Sequence, residues 1–116
     1  MILENTGLNG QKTDLHHLDS ASSKIGFVRW QWEYYRATYD YKIDDTASGA
    51  EYYLRISTRA VEGKLENPDA ILRIDDVYLG RATFPHGLDY EGQVPEQVLK
   101  IAKMKLAALK DQLASH

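Results

Sequence analysis

The run from Phe27 to Ile43 constrains this chain more than any other stretch. It reads Phe-Val-Arg-Trp-Gln-Trp-Glu-Tyr-Tyr-Arg-Ala-Thr-Tyr-Asp-Tyr-Lys-Ile and holds both tryptophans and four of the eight tyrosines. Trp30, Trp32 and Tyr34 fall on one side of it, and Arg29, Gln31 and Glu33 on the other. A period of two belongs to an extended strand, whose side chains point alternately to opposite faces. The register breaks at Tyr35-Arg36-Ala37, which predicts a turn or a bulge there. It resumes with Tyr39, Tyr41 and Ile43 against Thr38, Asp40 and Lys42. The segment predicts a β-hairpin with one face built to be covered by the protein's own core, a ligand or a second chain. Both faces carry aromatic residues, so the pattern alone does not say which is buried.

The remaining elements follow from period and punctuation. Ile2 and Leu3 open a short strand that ends near Gly7 to Gly10. Leu15, Leu18, Ala21 and Ile25 then fall on one stripe at helical spacing, with Thr13 or Asp14 as N-cap and Gly26 placed to end the helix. Serines at 20, 22 and 23 lower the intrinsic helix propensity, so packing must hold this helix. Asp44 to Gly49 is a loop by composition, and Glu51 to Thr58 is a third strand of the meander. Ile71 to Ile74 starts another strand, which Asp75-Asp76 interrupts and Val77 to Phe84 continues or returns. Pro85-His86-Gly87 stops the sheet, and Leu88 to Val94 is an irregular lead-in to the last element. Pro95 and Glu96 suit the first turn of a C-terminal helix with the stripe Val98, Ala102, Leu106, Leu109 and Leu113. Ile101, Met104 and Ala108 make a second apolar row on that helix, wider than packing on one sheet requires. The order β-α-β-β-β-β-α predicts an α+β domain, a curved antiparallel sheet with two helices packed on it.

At 116 residues the chain fits a single domain over residues 1–116, large enough for a core without staples. There is no cysteine, which removes disulfides, thiolate metal sites and cysteine nucleophiles together and suits a reducing compartment. No basic, apolar leader opens the chain, and no run approaches the roughly 20 apolar residues of a membrane span. The expectation is a cytoplasmic protein that does not enter the membrane. The formal net charge is -3, with fifteen Asp and Glu against ten Lys and Arg in residues 1–93. An acidic body repels phosphate backbones, and four lysines on the last helix make no basic stripe, which argues against a nucleic-acid partner.

Several short stretches carry a family resemblance when taken in order. They are Glu4-Asn5-Thr6-Gly7-Leu8, Gly26-Phe27-Val28-Arg29, Trp32-Glu33-Tyr34, Arg36-Ala37-Thr38-Tyr39-Asp40-Tyr41-Lys42, Tyr53-Leu54-Arg55, Ala60-Val61-Glu62-Gly63 and Pro85-His86-Gly87. No one of them is diagnostic, but their order and spacing together resemble the YugN-like family, small bacterial proteins of Bacillus and its relatives. The resemblance covers nearly the whole chain. It implies an α+β arrangement similar to the TATA-binding-protein-like fold, and it brings no established activity with it. Likeness to a DNA-binding fold carries no functional weight on an acidic chain.

The residues that could carry chemistry are few. The hairpin aromatics are either a core face or the lining of a small-molecule pocket, with an interface as the third use. Asp40 has Lys42 on its own face, so an ordinary surface ion pair is the default. If the sheet closes over that face, Asp40 with Arg29 or Arg55 becomes a buried polar cluster and a ligand anchor. Pro85-His86-Gly87-Leu88-Asp89-Tyr90-Glu91 is the one loop where a histidine, two carboxylates and a phenol gather. His86 there serves as a general base, ligates a metal or hydrogen-bonds its own turn, and three ligands so close in sequence make a poor metal cage. His16 and His17 point about 100° apart on a helix and cannot chelate one ion. No phosphate loop, nucleophile elbow or metal-ligand spacing occurs, so no cofactor and no metal is expected.

Three functional expectations result. The first is a non-catalytic binding or assembly module that forms a homodimer through Ile101, Met104 and Ala108 or through a sheet edge. The second is a small-molecule binding module with Trp30, Trp32 and Tyr41 as walls, Asp40, Arg55 and His86 as polar anchors, and Asp89 and Tyr90 beside them. The third is a small hydrolase or isomerase using His86 and Asp89.

Overall fold

Among the described residues, seven strands form one antiparallel sheet, and two helices cover one of its faces. The computed structural model describes residues 1–31, 33–83 and 87–114, with Gln31 described by its backbone alone. The strands are β1 (Ile2–Leu3), β2 (Lys12–Asp14), β3 (Val28–Gln31), β4 (Arg36–Asp44), β5 (Glu51–Glu62), β6 (Ile71–Ala82) and β7 (Leu88–Asp89). The helices are α1 (Leu15–Ile25) and α2 (Glu96–Ala114). The sheet order is β1-β6-β5-β4-β3, and β2 and β7 also pair with β6. Three short segments thus share one margin of β6: β2 against residues 71–73, β1 against 77–78 and β7 against 81–82.

The alternation of the long strands builds the core. Ala37, Tyr39 and Ile43 of β4, Tyr52, Leu54, Ile56 and Thr58 of β5, and Leu72, Ile74, Val77 and Leu79 of β6 are all buried. Leu15, Leu18 and Ala21 of α1 and Val98, Ala102, Leu106, Leu109 and Leu113 of α2 complete the same cluster. Asp14 caps α1, its carboxylate accepting from the His17 N–H at 2.8 Å. Gly26 ends it at φ 111, a left-handed conformation a side chain would oppose, and its N–H reaches the Ser22 and Ser23 carbonyls.

The structure differs from the sequence expectation at five places. The bend between β3 and β4 lies before Arg36, which already pairs with Arg59, so Arg36 and Ala37 belong to the strand. β5 continues past Thr58 to Glu62. Asp75-Asp76 does not interrupt β6. The pairing steps from Ser57↔Asp76 to Thr58↔Ile74, leaving Asp75 as the extra residue of a bulge. The bulge lets the core positions change from Leu72 and Ile74 to Val77 and Leu79 without the strand ending. Finally, Leu88–Asp89 is a short strand rather than irregular chain, and β2 precedes α1, so the order is β-β-α-β-β-β-β-β-α.

Candidate functional site

The sheet face turned away from the helices carries the polar rows of the alternating strands. In register, Val28 of β3 lies opposite Asp40 of β4, Asp40 opposite Arg55 of β5, and Arg55 opposite Tyr78 of β6. Residues directly opposite in a sheet share a face, so these four form one row across four strands. At its centre the Arg55 guanidinium grips Asp40 with two bonds, Nε to Oδ1 at 2.8 Å and Nη2 to Oδ2 at 2.9 Å. The Asp40 side chain is 6% exposed, whereas that of Arg55 remains 35% exposed. Hydrogen bonding to Asp40 pushes the Arg55 guanidinium above its ordinary value, with burial opposing it, so Arg55 is a fixed charge. The expected ion pair of Asp40 with Lys42 does not form. Lys42 instead reaches Glu51 at 3.2 Å and Asp44 at 3.8 Å, because Arg55 sits directly opposite Asp40 and takes both carboxylate oxygens.

A third bond orients the arginine: its Nη1 donates to the Tyr90 hydroxyl at 3.2 Å. Tyr90 follows β7, and its ring packs at 5.2 Å and 45° against that of Tyr78. Gly80 makes this approach possible, since a Cβ there would meet the Tyr90 ring at 2.9 Å and 3.0 Å. Beside the pair opens a cleft of about 550 Å³, lined by Trp30, Thr38, Asp40, Glu51, Tyr53, Arg55, Ala82, Thr83, Gly87 and Leu88. That is within the size range of small-molecule sites. Thr83 and Gly87, which line it next to β6 and β7, are joined by two bonds: the Thr83 N–H and hydroxyl both donate to the Gly87 carbonyl, at 2.8 Å and 3.0 Å.

Of the residues singled out in the sequence, Trp30, Asp40, Arg55 and Tyr90 come together on this face. Trp32 and His86 lie outside the described residues. Tyr41 belongs to the helix side of β4, with its ring 5.6 Å from Phe27 and the Lys105 Nζ 5.0 Å above it. It borders a smaller depression at the Gly26 end of β3 and not the main cleft. Asp89 accepts from the Glu91 N–H at 2.9 Å, closing its own turn. The second row of α2 divides: Ile101 packs against the core, Ala108 is half-buried, and Met104 is 62% exposed. Among the described residues no three His, Cys, Asp or Glu gather closely enough to hold a metal ion. Sequence reasoning missed Thr38, Glu51, Tyr53, Gly80, Thr83 and Leu88. Period two could have found Glu51 and Tyr53, which share their strand face with Arg55, and Thr38, which shares its own with Asp40.

The likeness to known proteins is close over the whole chain. The model of the YugN-like family matches residues 4–114. The uncharacterized protein YlbA of Bacillus subtilis (strain 168) is 35% identical over 107 residues, which is 91% of this chain and 87% of that protein. The uncharacterized protein YugN of the same strain is 33% identical over 90 residues, covering 77% of this chain and 66% of that one. The crystal structure of the uncharacterized conserved protein YugN from Geobacillus kaustophilus HTA426 superposes with a TM-score of 0.85. It is 32% identical and covers 99% of this chain and 96% of that one. Fold and sequence agree, and this chain belongs to the YugN-like family.

Proposed function

We propose that this protein is a non-catalytic small-molecule binding module whose ligand occupies the cleft on the open face of the sheet. The observation that carries the reading is the Asp40–Arg55 pair. It lies on the side of the sheet away from the helices, so it adds nothing to the apolar core. Surface ion pairs contribute little to stability, and removing a carboxylate from water as far as Asp40 is removed carries a cost. What the arrangement provides is an arginine held by three hydrogen bonds with its head still open to the cleft. A polar group fixed before the ligand arrives loses little freedom on binding. Trp30 on one side and Ala82 and Leu88 on the other supply apolar walls.

Native mass spectrometry of freshly purified protein tests this. An added mass that survives gentle activation, and is absent from a folded Arg55→Ala variant, is the expected result. A bare chain mass, together with backbone amides around Thr38 and Thr83 that ignore a small-molecule extract, would end the reading.

Self-association is the second reading, favoured by the position of β3 at the end of the sheet with Val28 and Trp30 exposed beside it. The row Ile101, Met104 and Ala108 supports it less, because only Met104 is well exposed.

A further inference from the structure

We infer that the cleft accepts uncharged planar molecules bearing a carbonyl group and discriminates against anions, and that Asp40 sets this preference. The inference rests on the cleft being a ligand site and names the chemistry of its ligand.

An arginine open to a cleft ordinarily recruits a carboxylate or phosphate through two parallel N–H groups. Here the pair of donors best placed for that role, on Nε and Nη2, is already engaged by Asp40. Nη1 gives one hydrogen to Tyr90. A guanidinium has five N–H groups, so one on Nη1 and one on Nη2 remain. A carbonyl oxygen with two lone pairs can accept from both, and so can a carboxylate, so the charge around them decides between the two.

An anion at the same place would lie one guanidinium away from the Asp40 carboxylate, and Glu51 adds a second carboxylate to the lining further along β5. Arg55 is matched by Asp40 and Glu51 by Lys42, so among the described lining residues no positive charge is left over to hold the anion. Like charges a few ångströms apart in a partly enclosed site repel appreciably. The rest of the lining suits a flat, weakly polar body. Trp30 is 48% exposed, Leu88 and Ala82 line the cleft with it, and Thr38 and Thr83 add hydroxyls to the lining.

The test is an NMR titration of the full chain with benzamide and with benzoate, which share a ring and differ in charge. Benzamide is expected to move the backbone amides of Thr38, Tyr53, Arg55 and Thr83 and to bind at least about fivefold more tightly than benzoate. Asp40→Asn removes the negative charge while keeping the shape, and is expected to reverse the order, with benzoate gaining about tenfold. Benzoate equal to or tighter than benzamide on the unaltered protein would overturn the inference while leaving the ligand site standing. So would an unchanged order in a folded Asp40→Asn variant. If neither probe moves those amides, the inference falls together with the ligand site. Should Asp40→Asn fail to fold, the two titrations of the unaltered protein decide by themselves.

Discussion

Tyr39 illustrates how one residue couples burial to pH. Its ring lies in the core, and its hydroxyl donates to Asp19 Oδ1 at 2.6 Å, while Asp19 Oδ2 meets Arg29 Nη1 at 3.2 Å. Burial first, then the bond to Asp19 and that carboxylate's charge, push the phenol well above its ordinary value, with Arg29 opposing in part. The folded state therefore keeps the Tyr39 proton at a pH where the unfolded chain has lost it. Below about pH 10, the unfolded value, the contribution to stability is fully present. Above that it declines as pH rises towards the folded value. Urea midpoints taken between pH 9 and pH 12 should fall for the parent protein once pH exceeds about 10. Tyr39→Phe should remove part of that slope at a cost of about 1 kcal/mol at neutral pH. Identical alkaline slopes in the two proteins would contradict the account. The same residue row explains what the sequence hid. Its alternation sends Tyr41 and Asp40 to opposite faces of β4, so only Asp40 reaches the main cleft, and the partner of Asp40 depends on a cross-strand register that no local pattern encodes.

At the scale of elements, legibility followed the strength of the local signal. The caps of α1 were readable because Asp14 and Gly26 are chemically suited to those positions. The Ile2–Leu3 strand was readable from its apolar pair, whereas β2 and β7, with three and two residues, are too short to display a period and only pairing to β6 defines them. The Asp75 bulge looked like a break because two adjacent acids resemble a turn, whereas Arg59 and Arg73 hold Asp75 in place, Arg73 at 2.9 Å. Gly80 gave no signal either, since its role is to make room for a ring that arrives from β7. Its φ is not in the left-handed region, so the constraint is space. Gly80→Ala should displace the Tyr90 ring, weaken its bond to Arg55 and cost about 1–3 kcal/mol in denaturant unfolding. Adding Tyr90→Ala to Gly80→Ala should then cost less than Tyr90→Ala costs alone, because the displaced ring has already lost its contacts. Simple additivity of the two changes would show that the ring and the glycine do not compete for the same space.

The whole molecule has one face committed to its own helices and another left for something else. Which face was which could not be read from the hairpin, since aromatic residues stand on both, and it was fixed only when α1 and α2 brought their apolar stripes to Tyr39, Ile43 and Leu54. The consequence is that any second copy has two routes of approach. It can meet α2, where Met104 is exposed but flanked by Lys100 and Lys103, or it can extend the sheet at β3. Flanking lysines repel their own copies, and one methionine offers little area. β3, by contrast, pairs on one side with β4 and has no other strand beyond it among the described residues, and Val28 is 58% exposed. Free strand edges invite pairing, and a lysine on them is a usual defence. If the protein self-associates, Val28→Lys should therefore shift it to monomer in sedimentation equilibrium, while Met104→Glu leaves the mass unchanged. The reverse pattern would move the interface to α2. A parent protein that sediments as a monomer at every concentration would remove self-association and leave the open-face cleft as the feature that accounts for the uncovered side of the sheet.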